Sequence, residues 1–209
     1  MIIHGSNGIE IAEQHTLPKE VFDRIKKFVN HKVIPHNKFL VGFHEQAFDL
    51  SQFIPEIHEY IGDLIQNSEF CKKIYFDFIE RLPQDSQSNF VFLDELWCNW
   101  MKKGEYNPPH SHFGILSFVI FVQIPFDLEK EYALPAAAMA KNPSNGNFNF
   151  IYFNGTKVDA LNIGVGKSYE GKMFIFPSQQ MHSVNPFYTS DGFRITVSGN
   201  VFTKGKLKE

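Results

Sequence analysis

The chain has 209 residues, 43% of them apolar, with a net charge of −3. That length suits one sizeable core and the 23 phenylalanines indicate a packed interior, while so small a net charge argues against a nucleic-acid binder. No apolar run approaches the about 18 residues of a membrane span, no basic-then-apolar leader opens the chain, and two cysteines, Cys71 and Cys98, fit buried free thiols in a reducing, cytoplasmic compartment.

Taken in order, residues 2 to 13 alternate loosely around two glycines and predict a short strand or hairpin at a sheet edge. Thr16 and Pro18 then mark a helix start, and Val21, Ile25, Phe28 and Val29 recur at the spacing of one buried helical face, which should end before Pro35. Residues 36 to 50 are mixed, compatible with a strand or a packed loop. Ile57, Tyr60, Ile61, Leu64 and Ile65 form a second helical stripe. Phe70, Ile74, Phe78 and Ile79 form a third behind a Ser68 cap, closing near Pro83.

Composition changes after a polar linker from Gln84 to Asn89. The run from Phe90 to Met101 is strand-like, with Trp97, Asn99 and Met101 on one face, and Ile115 to Ile124 is apolar enough for a strand covered on both sides. Ala136 to Ala140 suggests a helical turn, and the segment from 130 to 147 is expected to act as a lid beside the site. Phe148 to Phe153, followed by Asn154-Gly155 and Val158, carries the strongest hairpin signal. Lys172 to Phe176 and Phe193 to Phe202 complete about eight strands, and 203–209 reads as a polar tail. The expectation is one domain, with a helix-rich supporting part over 1–85 and a β core over 86–202.

Chemistry concentrates in Asn107-Pro-Pro-His-Ser-His112. In extended chain His110 and His112 project to one side, so both rings can reach a common point, and imidazole suits Fe, Zn, Ni or Cu. His182 lies at a later turn between strand-like runs, and Arg194 opens another strand with Thr196 on its face. An open-sided triad leaves room for a cosubstrate and dioxygen, and an Arg can clamp a distal carboxylate through paired hydrogen bonds. The other six histidines, at 4, 15, 31, 36, 44 and 58, are expected to have no chemical role.

The order of Trp97-Cys-Asn-Trp100, Asn107-Pro-Pro-His-Ser-His112, Met173-Phe-Ile-Phe-Pro-Ser178 with His182-Ser-Val, and Phe193-Arg-Ile-Thr-Val-Ser-Gly-Asn200 resembles the Fe(II)/2-oxoglutarate-dependent oxygenases. More narrowly, it is similar to a group of small oxygenases related to prolyl hydroxylases and seen in marine bacteria and their phages. The resemblance covers about residues 90 to 202. It implies a mainly β fold, a double-stranded β-helix (a cupin-like jelly roll) packed against N-terminal helices. It also implies Fe(II), 2-oxoglutarate and O2 as cofactor and cosubstrates. His110 and His182 would be iron ligands, Arg194 would hold the distal carboxylate with help from Thr196, and Asn99 would hydrogen-bond the cosubstrate.

One position departs from the pattern: the superfamily's usual Asp or Glu two residues after the first His is here His112. With three neutral imidazoles and the 2-oxoglutarate dianion, Fe(II) sits in a site of net charge about 0 instead of about −1. His112 is expected as the third ligand, with Glu105 or Asp94 as the alternative. The expected function is Fe(II)- and 2-oxoglutarate-dependent hydroxylation of a C–H bond in a small molecule or peptide, a prolyl residue or an amino acid, releasing succinate and CO2. A three-His cupin-type dioxygenase or isomerase without 2-oxoglutarate, and a non-catalytic β-sandwich, are the competing readings. No nucleic-acid or membrane partner is expected.

Overall fold

A computed structural model describes residues 1–81 and 91–203; the linker at 84–89 and the tail beyond Thr203 lie outside the described residues. The chain begins with β1 (Ile2–His4) and β2 (Glu10–Thr16), the expected edge hairpin, followed by α1 (Lys19–Phe28), which buries Val21, Ile25 and Phe28. β3 (Gln46–Asp49) resolves the mixed segment as a strand, and α2 (His58–Asn67) and α3 (Glu69–Ile79) follow. The Ser68 hydroxyl caps α3 by accepting from Cys71 N and donates in turn to Glu13 of β2, tying the helix to the sheet.

From β4 onward the chain is wound between two antiparallel sheets. β4 (Val91–Met101), β6 (Leu116–Gln123), β9 (Lys172–Pro177) and β11 (Arg194–Thr203) belong to a seven-stranded sheet in the order β1-β2-β9-β6-β11-β4-β3. β5 (Asn107–His110), β7 (Phe148–Phe153), β8 (Val158–Ile163) and β10 (His182–Val184) form a four-stranded sheet in the order β5-β10-β7-β8. Successive strands cross from one sheet to the other except at the β7–β8 hairpin, where Gly155 takes φ +95° and the Asn154 side chain accepts from Thr156 and Lys157 N–H groups. This winding is the double-stranded β-helix. The strands ahead of β4, the hairpin expected over 2–13 and the strand that the mixed segment left open, widen the larger sheet.

Alternation along the strands gives the molecule two apolar interiors. Leu96, Cys98 and Trp100 of β4, Leu116, Phe118 and Ile120 of β6, and Ile195 and Val197 of β11 face the three helices. Val119, Phe121, Phe148, Phe150, Phe174 and Phe176 face inward between the sheets. β6 is therefore buried on both sides, which is why it is apolar at nearly every position. Phe148, Phe150 and Phe174 are fully enclosed between the sheets, whereas Tyr152 sits at the edge and accepts from Ser6 N at 2.8 Å.

Both cysteines are free and buried, and burial pushes their thiols up, Cys71 to about 12 and Cys98 to about 11. Neither thiolate forms near neutrality. Titration with a thiol-reactive chromogen should register no rapid labelling of the native protein and two thiols after denaturation; one fast native thiol would contradict the packing.

The segment after β6 holds α4 (Leu128–Tyr132) and α5 (Pro135–Ala138). It is anchored at both ends. Phe126 stacks on Phe187 with ring centroids 4.7 Å apart, and Gly146 N donates to Pro186 O. Between them, the fully buried Glu131 carboxylate accepts from Tyr188 N, Thr189 N and the Thr189 hydroxyl. Glu131→Ala would leave these donors without their acceptor, and we expect destabilisation by about 2–5 kcal/mol, read by chemical denaturation. A loss under 1 kcal/mol would mean the segment is only loosely held.

Candidate metal centre and cosubstrate pocket

The three imidazoles meet because two strands of the smaller sheet are in register. His110 ends β5 and lies directly opposite His182, the first residue of β10. His112 stands two residues beyond β5 in the loop leading to β6. Its backbone N–H donates to Ser178 O at 2.8 Å, and its carbonyl accepts from the Gln179 side chain at 3.1 Å. The Pro-Ser-Gln segment that precedes His182 thus also positions His112. Gly114 completes the loop at φ +98°, where an added Cβ would stand 2.7 Å from Val201 O.

Ring centroids lie 4.3 Å apart for His110–His182 and 5.0 Å for the other two pairs, and the potential ligand nitrogens all fall within 4.8 Å of one another. Nδ1 of His110 is 2.7 Å from Pro108 O and Nδ1 of His182 is 3.0 Å from Gln180 O. A proton on each Nδ1 would donate to that carbonyl and leave Nε2 with its lone pair free for a metal. Burial pushes His110 down. It also pushes His112 down to about 4 and His182 well below its usual value, with the neighbouring histidines adding to the effect on those two. Near neutral pH the donor set is three neutral imidazoles, which fits a borderline divalent metal such as Fe(II).

The two expected carboxylate alternatives are not at the site. Glu105 is buried, but its oxygens accept from Glu45 N and Lys102 N. Asp94 is exposed, at a bulge in β4. Among the described residues His110, His112 and His182 form the only group of three or more potential protein ligands.

A cavity of about 410 Å³ opens beside the triad between the sheets. Arg194, Thr196, Ser198 and Asn200 of β11 line it, paired in register with Met101, Asn99, Trp97 and Glu95 of β4. Arg194 is 2% exposed, and its Nη1 donates to Asn185 O at 3.0 Å and Gly146 O at 3.3 Å. Its Nε has no partner, and its Nη2 has only the weakly accepting Met101 sulfur at 3.5 Å. Burial lowers its pKa to about 10, with Glu131 and Glu105 opposing that fall, so the guanidinium remains charged. Thr196 is its neighbour on the same face, and the buried Asn99 Oδ1 opposite Thr196 also lacks a partner. A buried cation with unspent donors fits an anionic group of a ligand.

All the residues singled out in the sequence, His110, His112, His182, Arg194, Thr196 and Asn99, therefore line one cavity. Two further lining residues with titratable side chains were missed. His36 stacks on Trp97 at 5.7 Å, carried in on a loop with no periodic signal. Glu95 would have emerged by continuing the alternation of Met101, Asn99 and Trp97 one step further back.

No curated protein matches the chain in sequence. Among solved structures it is similar to an oxidoreductase of the 2OG-Fe(II) oxygenase family from Burkholderia pseudomallei, with a TM-score of 0.47 and 13% identity over 92% of this chain and 85% of that one. It is also similar to a Pseudomonas putida prolyl-4-hydroxylase, with a TM-score of 0.49 and 11% identity over 93% of each chain. A family model described as "Putative 2OG-Fe(II) oxygenase" matches residues 95–200, from Glu95 of β4 to Asn200 of β11 and more than half the chain. The chain belongs to this 2OG-Fe(II) oxygenase family.

Proposed function

We propose that the protein is an Fe(II)- and 2-oxoglutarate-dependent dioxygenase that hydroxylates a C–H bond of a small molecule or peptide and releases succinate and CO2. The observation that carries this reading is a converging triad of neutral imidazoles beside a buried, charged Arg194 whose donors are not all used. When bound, the iron and 2-oxoglutarate supply the oxidising chemistry, coupling reduction of dioxygen to decarboxylation of the cosubstrate.

The protein's own residues do the rest. His110, His112 and His182 hold the metal through three protein positions. Arg194 binds the distal carboxylate of 2-oxoglutarate, Thr196 offers it a hydroxyl, and Asn99 takes up a polar contact from the opposite strand. The inner phenylalanines exclude water, which strengthens the Arg194–carboxylate attraction. A prolyl residue or an amino acid is the substrate that the sequence resemblance suggests. Use of the triad without 2-oxoglutarate is less favoured, because it gives the buried guanidinium no task.

Anaerobic titration of the apoprotein with Fe(II) and then 2-oxoglutarate tests the reading. A weak visible charge-transfer band should appear only on the second addition, and succinate should form once air is admitted. Metal binding with neither band nor succinate would favour the cosubstrate-free dioxygenase, and no metal binding would rule out both.

A further inference from the structure

We propose that the substrate carries a cation, an ammonium or guanidinium group on an aliphatic stem, and that Glu95 receives it at the mouth of the cavity. The inference rests on the oxygenase reading of the same site and names its substrate class. Among the described lining residues, Glu95 and Arg194 are the only aspartate, glutamate, lysine or arginine side chains, and they stand at opposite ends. The register pairs Arg194 with Met101 and Asn200 with Glu95, so six residues of β11 separate the two levels, about 20 Å at strand rise. The triad lies between them: the Trp97 ring, one inward-facing position in from Glu95, is 5.6 Å from that of His112.

Burial falls along this axis. Arg194 is enclosed, whereas Glu95 is exposed and the rim residues Phe39 and Phe113 are 68% and 84% exposed. A cosubstrate bound at the enclosed end leaves the open end for the molecule to be oxidised. There the Glu95 carboxylate accepts one hydrogen bond, from the Asn200 side chain to Oε2, and no cationic side chain of the described residues pairs with it. The walls beside it are aromatic: Trp97, His36 stacked over it, and Phe39 with its ring 5.2 Å from that of His36.

A carboxylate flanked by aromatic faces is a receptor for a cation, because ring quadrupoles and the negative charge attract the same group. An anion would be repelled by Glu95, and a neutral apolar group would desolvate the carboxylate without compensating it. Ordinary alternation from Trp97 brings Glu95 into the cavity, and the β4 bulge follows directly: Asn200 pairs with Glu95 but Val201 pairs with Leu93, so Asp94 is the extra residue and Leu93 is returned to the helix side.

The test is calorimetric titration of the full-length protein loaded with Mn(II) and 2-oxoglutarate. The probes are the N-acetyl amides of lysine, arginine, norleucine, proline and glutamate, together with free lysine and free arginine. We expect at least one cationic probe to bind ten-fold or more tightly than the norleucine and proline amides. The capped and free forms distinguish a peptide side chain from a free amino acid as its source. Glu95→Gln should abolish the preference, Glu95→Asp should keep part of it, and Phe39→Ala should weaken it.

Equal or tighter binding of the norleucine, proline or glutamate amide would overturn the proposal. So would an unchanged preference in Glu95→Gln, or no binding by any cationic probe. Binding of 2-oxoglutarate to the Mn(II) protein, measured beforehand, reports separately on the oxygenase reading: if it fails while the cation preference stands, that reading falls and the Glu95 site remains.

Discussion

Arg194→Ala should reduce 2-oxoglutarate affinity by about 30-fold or more while leaving metal binding within a few-fold of wild type. The side chain lies at the enclosed end of the cavity, with no hydrogen bond to any of the three histidines, so the metal does not depend on it directly. Removing one member of a buried, hydrogen-bonded charge pair typically costs about 2–5 kcal/mol, roughly 30-fold to several thousand-fold in affinity. Arg194→Lys should fall between, since it keeps the charge but loses the planar fork that can engage both carboxylate oxygens. Titration of 2-oxoglutarate into the Mn(II)-loaded variants measures this, with circular dichroism as the control for folding. An Arg194→Ala protein that is folded, binds Mn(II) and retains wild-type 2-oxoglutarate affinity would remove the dicarboxylate clamp from the mechanism.

The second large effect concerns His112. His112→Ala should weaken Fe(II) or Co(II) binding by more than the 10- to 100-fold typical of losing an outer-shell partner, because no carboxylate among the described residues can take its place. His112→Asp should restore most of that affinity by adding an anionic oxygen donor, provided the shorter side chain reaches the ion, and would lower the net charge of the site by one. The backbone contacts that hold this loop, His112 N to Ser178 O and Ile115 N to Val201 O, do not involve the ring and should survive both changes. The visible spectrum of the Co(II) protein reports affinity and the change of donor atom together. Wild-type affinity in His112→Ala would show that the third imidazole is not a ligand.

The strands that the sequence made legible are those with a strong one- or two-sided pattern. β6 is apolar at nearly every position because helices cover one side and the inner phenylalanines the other, and β7–β8 was marked by its Asn-Gly turn. The three strands ahead of β4 were less legible. β1 has only three residues, and β3 is flanked by loops, so neither supports a period. The site was legible where spacing alone brings groups together, as with His110 and His112. It was not where a tertiary contact was needed: His36 reaches the cavity on an irregular loop, and Glu105 could be set aside as a ligand only after its backbone partners were known.

The position of β11 in the larger sheet has a consequence for how the molecule is assembled. β11 is the last described strand in sequence, yet it lies between β4 and β6 and pairs with both along most of its length. Until its residues leave the ribosome, those two strands have no common neighbour and expose unsatisfied edges facing each other across a gap. Joining partners so distant in sequence carries a large loop-closure entropy, so completion of the sheet should be late and slow, with aggregation through the open edges as the competing fate. Arg194 and Thr196 ride on that strand. A nascent chain can therefore bring His110, His112 and His182 together before it possesses the cationic end of its pocket, and the ability to hold a dicarboxylate would report that folding has finished.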